Sequence, residues 1–165
     1  MHLAIINASP RVEAKSNTAR IIRTFLKGFE KGGNTAEVWH LSDKKQWESA
    51  KEAYEKNSNI LFAIPLYVEN IPGIMLEFLE TLQPKKEAGT KMSFILQCGF
   101  AEASQLRCGE AYLEILPSYF NCEYTASPLI EIIISEYPPA SHSVFDKTWV
   151  CQPFLSANFQ YILAK

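Results

Sequence analysis

Paired cysteines, long apolar runs, an excess of charge and glycine-rich nucleotide fingerprints are all missing from this chain. Its four cysteines, Cys98, Cys108, Cys122 and Cys151, form no CxxC pair and have no second Cys or His at zinc-finger spacing. They read as reduced thiols of a cytoplasmic protein, not as a disulfide frame or a metal centre. A net charge of −2 lacks the basic excess that nucleic acid or a polybasic membrane anchor would require. No apolar run reaches the ~20 residues of a membrane helix. The opening residues are apolar, with no basic stretch before them and no small-residue cleavage site, so a first strand is expected there and not a signal peptide. What remains is 47% hydrophobic and 21% charged over 165 residues. That mix suits a single soluble domain, residues 1–165, whose core needs no staple.

Along the chain, short apolar runs alternate with helical patterns. Residues 3–6, 35–41, 59–64 and 92–96 read as strands, and the continuous apolar runs among them suit burial on both faces. Residues 18–31 read as a helix with Ile21, Ile22, Phe25, Leu26 and Phe29 on one face; Ser16 or Asn17 can cap it, and Gly32-Gly33 ends it. A polar surface helix capped by Ser42 or Asp43 runs to about Lys56. Pro72 suits the first turn of the next helix, whose buried stripe is Ile74, Met75, Phe78, Leu79 and Leu82. A further helix reaches about Phe120, with Tyr112, Ile115, Leu116 and Tyr119 on one side and a kink or early stop at Pro117. A fifth strand is expected over residues 129–134, and a short or broken last helix within 146–162. Strand–helix alternation of this kind predicts a right-handed, doubly wound, five-stranded parallel sheet with helices on both faces.

Ligands of such sheets bind beyond the carboxyl ends of the strands. Three loops qualify: residues 7–17, 65–71 and 97–104. The first concentrates Ser9, Ser16, Asn17, Thr18 and Arg11 before a helix N-terminus, a setting that attracts phosphate, although a plain capped helix behind a polar loop has the same composition. It contains no GxGxxG, no GxxxxGK[ST] and no Cys, and no Asp follows the first strand. Dinucleotide-binding, P-loop, cysteine-phosphatase and receiver chemistry are therefore set aside. In the second loop Tyr67 can wall a flat conjugated ligand or pack on its own helix. In the third, Gly99 lets backbone approach a ligand closely.

Taken together, Asn7-Ala8-Ser9-Pro10-Arg11 with Ser16-Asn17-Thr18, the stretch Ile64-Pro65-Leu66-Tyr67-Val68-Glu69-Asn70-Ile71-Pro72-Gly73, and Gln97-Cys98-Gly99-Phe100-Ala101-Glu102-Ala103 resemble the NAD(P)H-dependent FMN reductase family of the flavodoxin-like superfamily. The likeness extends over roughly residues 1–125. It implies FMN as cofactor and NAD(P)H as co-substrate. It also implies Ser9, Arg11, Ser16, Asn17 and Thr18 around the phosphate. Pro65, Leu66, Tyr67, Val68, Glu69 and Asn70 would line the ribityl chain and ring, with Cys98, Gly99 and Phe100 closing the far side. A homodimer is implied as well. The chain departs from the pattern at Ala8, which stands for a Gly and requires negative φ, and at Cys98, which stands for a hydroxyl residue. It departs again after the fifth strand.

The expected activity is transfer of electrons from NAD(P)H through FMN to a small acceptor such as a quinone, nitro compound or flavin. The cofactor does that chemistry, so no catalytic side chain is assigned. Glu69, Glu102 and His142 read as exposed loop residues. The alternatives are a flavodoxin-type carrier, which the mild net charge disfavours, and a flavin-free descendant with an interaction role.

Overall fold

The apolar runs become the inner strands of one parallel sheet. The computed structural model of the chain describes residues 1–68, 70–99, 106–125 and 129–131, with only the backbone for Cys108 and residues 129–131. Strands β1 (His2–Asn7), β2 (Thr35–His40), β3 (Asn59–Pro65) and β4 (Thr90–Cys98) lie in the order β2-β1-β3-β4. Every pairing between strands is parallel. The fifth position is shared by two short pieces, β5 (Cys122–Tyr124) beside Thr90–Met92 and β6 (Leu129–Glu131) beside Leu96–Cys98. Because β3 pairs along the other edge of β4, both pieces occupy the same free edge.

Helix α1 (Asn17–Lys31) covers one face. It buries Ile21, Ile22, Phe25 and Phe29 against Leu3, Ile5, Leu61, Ala63 and Ile95. On the other face α2 (Trp47–Lys56), α3 (Gly73–Glu80) and α4 (Arg107–Tyr119) enclose a larger core around Tyr54, Phe62, Phe78 and Phe94. The two-sided cover explains why β1 and β3 read as unbroken apolar runs: side chains of both parities are buried.

Several boundaries differ from the sequence expectation. Strand β4 runs on through Gln97 and Cys98, which were expected in a loop. Pro72 precedes α3 as its N-cap and does not enter the first turn. Asp43 caps a short 3₁₀ turn (Lys44–Gln46) ahead of α2, and α2, expected as a polar surface helix, buries Ala50, Ala53 and Tyr54. The face of α4 is corrected by one residue: Leu113 and Leu116 point inward, while Tyr112, Ile115 and Tyr119 are exposed. Pro117 is accommodated in the last turn, and the helix ends two residues later, before Asn121 at a φ of 52°. The strand expected from residue 129 is present as β6, and the sequence did not show β5 (Cys122–Tyr124) ahead of it; residues 132–134 and the expected helix within 146–162 lie outside the described residues.

Candidate functional site at the carboxyl edge of the sheet

The chain leaves β1 toward β2 on one side and passes from β3 to β4 on the other, so the winding reverses between β1 and β3. Adjacent crossovers then run to opposite faces and leave a crevice at that point. Loops 8–16 and 66–72 diverge from it. Their roots are tied together, since Ala8 donates its N–H to Ala63 O at 2.9 Å and Leu66 donates to Gln97 O at 2.7 Å. Ala8 is fully buried and its φ is not positive, which meets the condition its methyl imposes.

The first loop ends in a capped helix. Ser16 is the N-cap: its Oγ accepts from Ala19 N–H at 3.2 Å. Ser16 spends its lone pair on the helix. The N–H groups of Asn17 and Thr18, in the first turn, have no acceptor among the described residues. They point out of a 15-residue helix at its positive end, the arrangement that binds phosphate. The Arg11 side chain is exposed, and its guanidinium has no ion-pair partner among the described residues. Ser9 Oγ accepts from Arg11 N–H at 3.3 Å and so fixes the backbone that carries that guanidinium.

Thr18 behaves differently from the sequence expectation. Its side chain is turned inward, with 1% of the residue exposed, and Oγ1 donates to Gln97 Oε1 at 3.1 Å. The hydroxyl therefore ties α1 to β4, and only the backbone N–H of Thr18 faces the loop. Asn17 is half-buried.

The second loop folds back on itself. Tyr67 and Asn70 exchange two backbone hydrogen bonds, at 2.9 and 3.1 Å. At the tip, Val68 has φ 51° and is 93% exposed. A β-branched residue in the left-handed region is strained, and here no packing of its side chain offsets the cost. Tyr67 is 41% exposed. Leu66 is buried, and Asn70 is exposed with its Oδ1 accepting from Ile71 N–H at 2.8 Å. Pro65 ends β3 and is buried. In the third loop Cys98 is buried at the end of β4 and Gly99 is exposed, with no described atom within 4 Å of where a Cβ would stand. Glu69, Phe100, Glu102 and His142 lie outside the described residues.

The structure thus brings Ser9, Arg11, Ser16, Asn17 and Thr18 to one corner and Leu66, Tyr67, Val68, Asn70, Cys98 and Gly99 to the neighbouring strand ends. It also shows partners that the sequence reading did not single out: Asn7, Glu13, His40, Gln97 and Gly109. A Cβ on Gly109 would stand 2.8 Å from Leu66 Cδ1, so this glycine lets α4 seat the root of the second loop. A separate cleft of about 490 Å³ lies at the opposite, amino edge of β3 and β4, between Tyr54, Lys85 and Thr90. There Lys85 Nζ donates to the carbonyls of Tyr54, Glu55 and Asn57 at the end of α2, which makes it a helix cap.

Comparison with known proteins gives the family and the fold. The family model described as NADPH-dependent FMN reductase matches residues 1–127. No curated protein sequence matches the chain. Among solved structures, an FMN-dependent NADH-azoreductase from Bacillus anthracis, in complex with FMN, superposes with a TM-score of 0.62 at 14% identity, over 82% of this chain and 90% of that one. An NADH:FMN oxidoreductase in its apo form gives a TM-score of 0.66 at 18% identity, over 79% and 75%. An NAD(P)H:quinone oxidoreductase from Methanothermobacter marburgensis gives 0.60 at 15%, over 82% and 86%. These likenesses show the fold, and the family match covers the three strand ends where the loops converge. With FMN as its cofactor and NAD(P)H as its reductant, the chain belongs to the NADPH-dependent FMN reductase family.

Proposed function

We propose that the chain passes electrons from NAD(P)H to a small acceptor such as a quinone, nitro compound or flavin, with FMN held at the carboxyl edge of the sheet. The observation that carries this reading is the corner at the start of α1. Two backbone N–H groups stand at a helix N-terminus without acceptors among the described residues, and among those residues the Arg11 guanidinium has no carboxylate partner. That donor set suits a terminal phosphate dianion better than an uncharged ribityl end.

In this reading Arg11 and the N–H groups of Asn17 and Thr18 hold the phosphate. Ser9 and Ser16 shape the loop and the cap, each by a hydrogen bond already described. Pro65, Leu66, Tyr67, Val68, Glu69 and Asn70 line the ribityl chain and ring, and Cys98, Gly99 and Phe100 close the far side. FMN, when bound, accepts a hydride equivalent from the nicotinamide and delivers electrons to the acceptor. The chain's residues orient the partners; none is required to move a proton. Tyr67 provides an exposed aromatic side chain, and Gly99 has no side chain of its own to stand between the ring and a second planar molecule.

The chain is also read as a cytoplasmic homodimer, with the aromatics of the second and third loops near the interface. The exposed Tyr112, Ile115 and Tyr119 give α4 a further apolar face. Among the described residues no helix is long and apolar enough to cross a membrane.

The test is anaerobic stopped-flow mixing of the holoprotein with NADH and with NADPH, followed by each acceptor class. Loss of the oxidised flavin band with either nucleotide, and its return with a quinone, supports the reductase. Reduction only through a protein partner would make the chain an electron carrier.

A further inference from the structure

One imidazole stands between the two ends of the loop that presents Arg11. His40 closes β2 in register with Asn7 at the end of β1. Its Nδ1 lies 2.9 Å from Asn7 Nδ2, and its Nε2 lies 3.5 Å from Glu13 Oε2. The other side of the Asn7 amide is committed, because Asn7 Oδ1 accepts from Ser9 N–H at 3.0 Å. Glu13 sits in the short 3₁₀ turn (Glu13–Lys15), and its carbonyl accepts from Ser16 N–H at 3.2 Å. One arm of the ring therefore reaches Ser9 at the start of the loop, and the other reaches Ser16 at its end. The backbone that carries the ring is anchored as well, since the main-chain N–H of His40 donates to Gln46 Oε1 at 2.9 Å.

These contacts fix the ring's proton. With Oδ1 turned to Ser9 N–H, the Asn7 amide presents an N–H to His40 Nδ1, which must then carry a lone pair. The proton lies on Nε2, facing the Glu13 carboxylate. The reverse amide orientation would set Asn7 N–H against Ser9 N–H, two donors face to face, at a site where Asn7 is 1% exposed. Glu13 is only two residues from Arg11, yet its carboxylate lies 3.5 Å from His40 Nε2, and Arg11 keeps no ion pair among the described residues.

We propose that His40 is a positioning residue for the phosphate corner. Its Nδ1 accepts from Asn7 and so locks the Ser9 turn that carries Arg11, while its Nε2–H stands 3.5 Å from the Glu13 carboxylate. The proposal rests on the phosphate reading given above for its consequence, but not for its geometry. The relay itself involves no bond making or redox step.

Two measurements test it on the full chain. The first is nitrogen-15 NMR of the labelled imidazole in the wild-type protein. The Nε2–H tautomer with an unprotonated Nδ1 is expected; an Nδ1–H tautomer or free exchange between the two overturns the relay. The second compares FMN and riboflavin affinities in His40→Phe and His40→Asn. In His40→Phe the affinity for FMN is expected to fall about tenfold, the worth of one or two hydrogen bonds, with riboflavin affinity unchanged. His40→Asn, whose amide oxygen stands about where Nδ1 does, is expected to restore most of it. An unchanged ratio in a natively folded His40→Phe overturns the proposal. Should wild-type protein itself not prefer FMN, the phosphate reading fails by itself. The relay is then judged by the tautomer and by protection of the Ser9 amide from hydrogen exchange, which must drop in His40→Phe.

Discussion

Replacing Thr18 by Val separates two roles that the sequence could not tell apart. The substitution keeps the β-branch and nearly the volume but deletes the hydroxyl that donates to Gln97 Oε1 at 3.1 Å. Both partners are buried, at 1% and 7% exposure, so water does not take the place of the lost donor. An unpartnered buried acceptor costs about 1–3 kcal/mol. In a domain of this length each kcal/mol lowers Tm by about 2–4 °C, so Thr18→Val should melt roughly 2–12 °C below the wild type. Urea unfolding of the apoprotein gives the free energy directly. Adding Gln97→Met removes the orphaned acceptor, because replacing both partners with apolar groups is close to neutral. The double variant should therefore recover most of the loss, with a coupling of at least about 0.5 kcal/mol. The preference for FMN over riboflavin should be unchanged, since only the Thr18 backbone faces the loop. Stability within about 0.5 kcal/mol of wild type, or strictly additive effects, would refute the inward bond. Loss of FMN preference without loss of stability would return the hydroxyl to the phosphate.

Three further expectations concern other parts of the molecule. Arg11→Ala should weaken FMN binding by roughly 1–3 kcal/mol and leave riboflavin binding unchanged, as read by titration of the apoprotein. Val68→Gly should stabilise the protein by about 0–1.5 kcal/mol in urea unfolding: relief of the left-handed strain is worth about 1–2 kcal/mol, and the flexibility of Gly in the unfolded chain takes back about 0.5–1. A clear destabilisation would mean that the exposed Val68 side chain makes contacts that its exposure denies. Burial pushes the Cys122 thiol up, with the Tyr54 hydrogen bond and the Lys85 charge opposing it. A raised pKa leaves less thiolate at any given pH, so mass-spectrometric mapping at pH 8 should find Cys122 alkylated more slowly than a free thiol.

Most of the fold was legible because the signals were long or repeated. The stripe of Ile21, Ile22, Phe25 and Phe29 could only be one face of a helix, and β1 and β3 could only be strands covered on both sides. The failures have local causes. Helix α4 carries two apolar stripes one residue apart, Tyr112-Ile115-Tyr119 and Leu113-Leu116-Phe120, and periodicity does not choose between them. The choice was made by Gly109, which lets the second stripe's side of the helix approach Leu66. Strand β5 is three residues long, too short for an alternation to show. Gln97 reads as a loop residue because it is polar, yet it continues β4 by satisfying its carbonyl with Leu66 N–H and its side chain with Thr18. In the site, a cap at Ser16 or Asn17 could be read from residue type and position before a helix, and the structure makes it Ser16. The clamp of Asn7, His40 and Glu13 did not, because it depends on the parallel register that sets Asn7 beside His40, two positions 33 residues apart.

The central claim, that the start of α1 and the loop before it hold the phosphate of FMN, is tested most directly by titrating the apoprotein with FMN and riboflavin side by side. The account predicts that FMN binds more tightly by roughly 10–100-fold, the worth of one or two charge-assisted hydrogen bonds, and that added salt narrows the gap. Equal affinities at low salt would contradict it, and would leave Arg11, Asn17 and Thr18 as residues of an ordinary capped helix.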